Sequence, residues 1–253
     1  MNKIIIDNNK LDNYKDDYIE IIDNKIIFLK NGDYTIEYLN SCDIDLKIEV
    51  LDNICIKLFI SSCDNDLRVR ESYRLGVNSN LLIFKFYYNK KVFENVLLDL
   101  DGEGASVSYN FSSISRGVEE YHIIVNHNNH RANSYISNKC VGLDDSKISL
   151  VVDSKLDKGN IDCVMDQTSR ILTLGDVEAK IVPNMFIDDD SVEARHGSVV
   201  GRIREEELFY LMSRGISEGE AVSLIVKGFI LSNLVADMDM RALIFKILKN
   251  LSY

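Results

Sequence analysis

The amino-acid sequence predicts a mainly-β chain, with a β-solenoid core over residues 1–202 and an α-helical region over 203–253. Three observations carry this expectation. Short runs through the first 200 or so positions alternate apolar with polar residues, which lines one face of a strand with side chains that must leave water. Asn, Asp, Gly and Ser interrupt those runs every ~8–12 residues, the spacing of an all-β sandwich, barrel or solenoid. After about residue 203 the apolar period changes from two to roughly 3.6.

The early strands are Tyr18–Ile22, Lys25–Leu29, Tyr34–Tyr38, Leu46–Val50, Ile54–Ile60 and Leu81–Tyr87. Val96–Asp101 comes next, then a turn at Gly102-Glu103-Gly104, then Ala105–Tyr109, Tyr121–Val125 and Ile148–Val152. Pairs of strands feeding successive coils fit a solenoid in which each rung buries its inward side chains against the next. A closed barrel fits the alternation nearly as well, and no strict short repeat is present.

Glu205, Glu206 and Glu207 place negative charge on a first helical turn, where the macrodipole favours it. Leu208, Phe209, Leu211 and Met212 supply the buried stripe of that helix, and Gly215 ends it in the left-handed conformation. Ser217-Glu-Gly-Glu220 is a capping box opening a second helix through Ala221, Leu224, Ile225 and Phe229. Met240 to Tyr253 reads as a third helix.

A chain of 253 residues with 46% hydrophobic content buries a core without staples. Its net charge of -11, from 40 acidic against 29 basic residues, disfavours nucleic acid and anionic membranes as main partners. The five cysteines (Cys42, Cys55, Cys63, Cys140 and Cys163) form no CxxC pair, so neither a zinc site nor a disulfide framework is expected. Met1 to Lys10 is too short and too soon broken by Asp7 and Asn8 to be a signal h-region, and no run of about 18 apolar residues exists to span a membrane. These absences place the chain in a reducing cytoplasm.

Neither GxxxxGK[ST] nor GxGxxG after a strand occurs, so no nucleotide is expected on this chain; GxSxG and HExxH are absent too. His127 and His130 come after a strand within a polar turn, where Asn and His satisfy loop backbone. Asp188-Asp-Asp190 reads as a solvated turn, and Cys140 and Cys163 as small buried hydrophobes. In Val192-Glu-Ala-Arg-His-Gly-Ser198, alternation puts Glu193 and Arg195 on one face and Val192, Ala194 and His196 on the other. His196 there is either a packed histidine at a sheet's end or an imidazole available to iron.

The run Asp190–Gly201, followed by Glu207-Leu-Phe-Tyr-Leu-Met-Ser-Arg-Gly-Ile216, Glu220-Ala221 and Gly228-Phe229, resembles the C-terminal signature of the SufB and SufD proteins. Gln167 to Leu174, Pro183, Leu98–Ala105 and Asn126-His127 agree with the same family, so the resemblance covers about residues 95–230. It implies a right-handed parallel β-helix flanked by helices. Two such subunits pair through their β-helix ends, and the C-terminal helices recruit a SufC-type ATPase, which makes Phe209, Tyr210, Arg214 and Gly215 the expected docking surface. The chain itself is then a non-enzymatic scaffold, supplied with sulfur by a separate donor system.

His196 falls on the family's histidine, which the resemblance makes a metal ligand, with Glu193, for a transient iron–sulfur cluster at a subunit interface. Gly197 is the SufD-like choice after it, and Val177 stands where SufB carries its cysteine, so the resemblance is to SufD. The chain reads as shorter than a usual SufD at its N-terminal side, which keeps two pairings open: a SufB-like partner, or a homodimer in which His196 meets its own copy. The other reading is a β-helical carbohydrate-active enzyme or surface binding protein, with paired carboxylates ~5–9.5 Å apart in a cleft.

Overall fold

The computed structural model describes residues 2–63, 66–234 and 238–250. Five short strands come first: β1 (Asn2–Asp7), β2 (Lys10–Leu11), β3 (Tyr14–Lys15), β4 (Ile19–Ile22) and β5 (Lys25–Phe28). Longer strands then alternate between two sheets: β6 (Gly32–Leu39), β7 (Asp43–Val50), β8 (Cys55–Cys63), β9 (Leu67–Leu75), β10 (Asn80–Tyr88), β11 (Lys91–Leu100) and β12 (Ser106–Ser115). The series continues through β13 (Val118–His127), β14 (Asn133–Gly142), β15 (Lys147–Leu156), β16 (Cys163–Thr173), β17 (Glu178–Ile187) and β18 (Val192–Arg202). Helices α1 (Glu205–Ser213), α2 (Glu218–Leu231) and α3 (Met238–Asn250) complete the chain's elements.

The result is a parallel β-solenoid of about six turns, not a closed barrel. Even-numbered strands from β6 to β18 stack in one nine-stranded sheet beyond β1 and β2, and odd-numbered strands from β5 to β17 stack in the other beyond β3 and β4. Register is strict, so inward residues form columns: Ile83 lies between Leu58 and Tyr109, and Leu81 between Ile56 and Val107. Strands of the first sheet start at residues 55, 80, 106, 133, 163 and 192, so a coil takes 25 to 30 residues. That drift is why no strict repeat is visible in the sequence.

Asn and Asp supply left-handed turn positions before strands of the first sheet: Asn53 (φ 60) and Asn78 (φ 49) in consecutive coils and Asp162 (φ 58) three coils further on. Gly102 is required by stacking, since a Cβ there would lie 2.1 Å from the backbone of Gly76 one coil below.

Along the axis the interior changes character. The first coils are filled by Ile36, Ile44, Leu46, Ile48, Ile56, Leu58 and Ile60. From β9 onward charged and polar side chains enter. Lys85 Nζ donates to Glu71 Oε2 at 2.6 Å and Glu94 Oε1 at 2.7 Å, all three fully buried. Tyr38 and Tyr73 donate to Glu71, and Tyr87 to Glu94. Burial alone would lower the Lys85 pKa; the two carboxylates outweigh it and hold it above its ordinary value.

Apart from Lys85, Leu81–Tyr87 is apolar on both phases because both faces are covered. Val226, Ile230, Leu234, Met240, Ile244 and Ile247 pack on the outward Phe59, Phe84, Phe86, Ile114 and Val141. Asn233 pins this layer, its Nδ2 donating to the Phe111 and Ser137 carbonyls at 2.7 and 3.0 Å. The α2 stripe is therefore Ala221, Val226 and Ile230, whereas Leu224, expected inside, is exposed. The capping box forms, with Glu220 Oε2 accepting from the Ser217 amide at 3.1 Å and hydroxyl at 2.6 Å. The third helix begins two residues before the expected Met240, and Leu251, Ser252 and Tyr253 of that expectation lie outside the described residues.

Candidate functional site: the open last coil

Strands β17 and β18 each pair on one side only, so the last coil presents two free sheet edges of 10 and 11 residues. Register with the coil beneath fixes which side chains face the interior. In β17 they are Ala179, Ile181, Pro183, Met185 and Ile187; in β18 they are Val192, Ala194, His196, Ser198 and Val200. No further rung among the described residues covers them, and β18 is exposed along nearly its whole length.

His196 sits directly above Gln167. Gln167 Nε2 donates to Ser154 Oγ at 2.6 Å and to the Asn184 carbonyl at 3.2 Å, while its buried Oε1 has no hydrogen-bond partner among the described residues. The imidazole thus caps a polar column at the open end. Glu193 does not join it. Its side chain leaves the opposite face of β18 with Arg195, whose guanidinium reaches Asp166 at 2.9 Å and Glu193 at 3.7 Å. Alternation separated the two faces in the sequence, and the strand keeps them apart, so the expected two-residue site is not assembled within this chain. Among the described residues no three His, Cys, Asp or Glu side chains converge as a metal-binding group.

Helix α1 buries no residue. Leu208 and Leu211 are half-buried, but Phe209 is 74% exposed, Tyr210 58% and Met212 43%. Two of the four residues expected inside, Phe209 and Met212, therefore face outward, while the apolar layer on the sheet is filled by α2 and α3. The Arg214 guanidinium lies over the Tyr210 ring at 5.3 Å, and Gly215 (φ 86) turns the chain after the helix.

The other polar candidates serve structure. His127 is buried, with Nδ1 3.2 Å from the Lys155 carbonyl, and burial pushes its pKa down to about 4. His130 Nδ1 accepts from the Ile161 amide at 3.2 Å. Asp189 accepts from the Ser191 and Gly159 amides at 3.0 Å, which holds its carboxyl low. Cys140 is buried and its thiol is pushed up well beyond the ordinary range by burial and then by Glu119. The residues missed from sequence are Glu71, Lys85 and Glu94; their signal was a charge in the inward phase of an otherwise apolar strand, as in Leu81-x-Ile83-x-Lys85-x-Tyr87.

The parallel solenoid thus leaves one coil open and one helix with exposed aromatic side chains, features of the kind that protein–protein contacts use. Residues 69–229 match the family described as SUF system FeS cluster assembly, SufBD core domain, and the chain belongs to that family. The match begins about 26 residues before position 95, where the motif resemblance starts. The chain is similar to an iron–sulfur cluster assembly SufBD family protein of Pyrococcus horikoshii, 38% identical over 98 residues, 37% of this chain and 21% of that protein. It is also similar to the iron–sulfur cluster assembly proteins SufD (39% over 77 residues) and SufB (42% over 76) of Bacillus subtilis. Those two matches cover 30% and 29% of this chain, and 18% and 15% of the relatives' lengths. Identities so close do not separate SufD from SufB. No described helix is long and apolar enough to cross a membrane.

Proposed function

We propose that the chain is a non-enzymatic, SufD-like scaffold subunit of an iron–sulfur cluster assembly complex. It pairs through its last coil with a SufB-like subunit or a second copy of itself, and docks a SufC-type ATPase on α1 through Phe209, Tyr210 and Arg214, with Gly215 shaping the turn. One observation carries the reading: the last coil leaves both sheet edges free, with an apolar inner row and His196 among it. Free edges of this length are templates for pairing with another chain.

The cluster is cargo in this scheme. His196 offers an imidazole at the open end, and a partner's residues across the interface complete its coordination, since this chain assembles no multi-ligand group there among its described residues. Gly197 and Val177 support the SufD-like role. Sulfur comes from a separate donor system and nucleotide from the ATPase, in a cytoplasmic setting.

Co-expression with the ATPase and the SufB-like subunit of the same organism, followed by size-exclusion chromatography, tests the assembly. A stable complex unaffected by Phe209→Ala, Tyr210→Ala and Arg214→Ala would show the docking surface to be wrong. Anaerobic reconstitution then compares cluster absorbance in wild type and His196→Ala. Equal absorbance makes His196 a packing residue.

A further inference from the structure

Where the last coils meet α1 and α2, a cleft of about 560 Å³ gathers four cations on a chain whose net charge is -11. They are Lys139, Arg170, Arg202 and Arg204, and only Arg204 is neutralised, by an ion pair with Glu207. Among the described residues Lys139, Arg170 and Arg202 have no carboxylate partner. Lys139 and Arg170 face each other across adjacent strands, in direct register on the outward side of the sheet. Like charges so placed destabilise a sheet unless a counter-charge lies between them. The cost is visible at Lys139, which is half-buried and has its pKa lowered, first by burial and then by the Arg170 charge.

The surroundings orient Lys139 into the cleft, while Arg170 and Arg202 line its exposed side. Lys139 Nζ donates to Ser232 Oγ at 2.6 Å and lies 5.6 Å from the Phe229 ring centroid, which leaves ammonium donors free. Phe229 and Ile225 supply an apolar wall from α2. A pocket of this volume with an apolar wall and a few convergent charges is the form small-molecule sites take, and guanidinium forks match oxyanions.

We infer that this cleft binds a small polyvalent oxyanion, a phosphate- or carboxylate-bearing metabolite, held between Lys139, Arg170 and Arg202. The inference does not rest on the scaffold reading, since it needs neither a partner nor a cluster. A bound anion bridges the last coils to the α1–α2 corner and relieves the Lys139–Arg170 repulsion.

Isothermal titration of the full chain with inorganic pyrophosphate and, separately, with citrate at constant ionic strength reads the site. The expected result is one saturable site for at least one of them, and which anion binds identifies phosphate or carboxylate as the source chemistry. Arg170→Gln and Lys139→Met each weaken it at least tenfold, while Lys57→Gln, an exposed cation elsewhere on the same sheet, leaves it unchanged. Both cleft variants remove a like-charge contact, so their thermal midpoints without anion should not fall. The inference is overturned if neither anion saturates, if Lys57→Gln weakens binding as much as Arg170→Gln, or if only an oligoglutamate peptide binds.

Discussion

The two ends of the solenoid are built on opposite rules. At the N-terminal end the sheets taper to β2 and β3, edge strands of two residues each, paired antiparallel to their neighbours so that the stack is turned back on itself. Behind them the interior is apolar, mostly aliphatic with Phe28 and Tyr34 packed ring to ring. At the C-terminal end the sheets stop at full width, and the interior leading there carries Glu119, His127, Asn138, Ser154, Gln167 and Ser169. Short edges are how β proteins avoid pairing, and long ones invite it. The polar stretch of interior also falls within the family match of residues 69–229, whereas the apolar coils largely precede it. One end is insulation; the other is organised around groups that cost stability.

A charge placed at each end should give opposite phenotypes. Ile21→Glu buries an unpaired carboxylate in the capped end and should cost more than about 4 kcal/mol of folding free energy. Ala194→Glu enters the uncovered inner row, so its effect on folding should stay within about 0.5 kcal/mol. If that row is covered in an assembly, the same charge weakens association on the order of 100- to 1,000-fold. Urea denaturation and sedimentation velocity separate the two, and an Ala194→Glu chain that still associates normally breaks the contrast between the ends.

The middle of the interior comes next in size. Lys85→Met leaves Glu71 and Glu94 facing each other without their cation and should cost roughly 3–5 kcal/mol. Ile36→Val, in the aliphatic coils, should cost only about 0.5–1.5 kcal/mol. Replacing Glu71, Lys85 and Glu94 together with apolar residues should restore much of the loss, because unpaired buried charge is what the single change creates. Similar urea midpoints for Lys85→Met and Ile36→Val would mean that the network contributes no more than ordinary packing.

Much of this was legible in the residues. Strand alternation, the Asn and Gly turns, the switch to helix after Arg202 and the Ser217–Glu220 box are local signals, and local physics produces them. The solenoid itself needed the register between coils, which no single strand encodes and which coils of 25 to 30 residues disguise. The same gap explains the site. Alternation put His196 and Glu193 on opposite faces, as the strand does, yet which face is inward and whether another rung covers it are not encoded in a strand's own residues. Nor does the outward aromatic phase of β10 reveal that α2 and α3 lie on it and that Phe209 and Met212 of α1 are left exposed.

Two buried titratable groups set a pH signature of similar or smaller size. Burial raises the Glu119 carboxyl to about 7 from 4.5, so the unfolded chain gives up that proton first, and stability falls as pH rises between those values. Burial lowers His127 to about 4 from 6.5, so the unfolded chain takes that proton first, and stability falls as pH drops through that range. Each is worth about 3–4 kcal/mol in full at ~1.4 kcal/mol per unit. Between 4.5 and 6.5 the two slopes oppose each other. Relative to wild type, Glu119→Gln should gain stability above pH 7 and lose little near pH 4. A Glu119→Gln curve running parallel to wild type from pH 4 to 8 would place the carboxyl in an ordinary, charged state.

The smallest expected change on stability sits in α1. Phe209 is large and aromatic, and in a core its truncation would cost about 3–5 kcal/mol. At 74% exposure it has little to lose, so Phe209→Ala should move the urea midpoint by no more than about 0.5 kcal/mol. Val226→Ala, on the adjoining helix but buried against the sheet, should cost several times that. Exposed aromatic surface on a helix is uncommon without a partner to cover it. If the Phe209 variant folds like wild type yet loses the ATPase, the ring belongs to an interface. A loss of stability comparable with Val226→Ala would place it in the chain's own core and return α1 to the packed role first expected of its stripe.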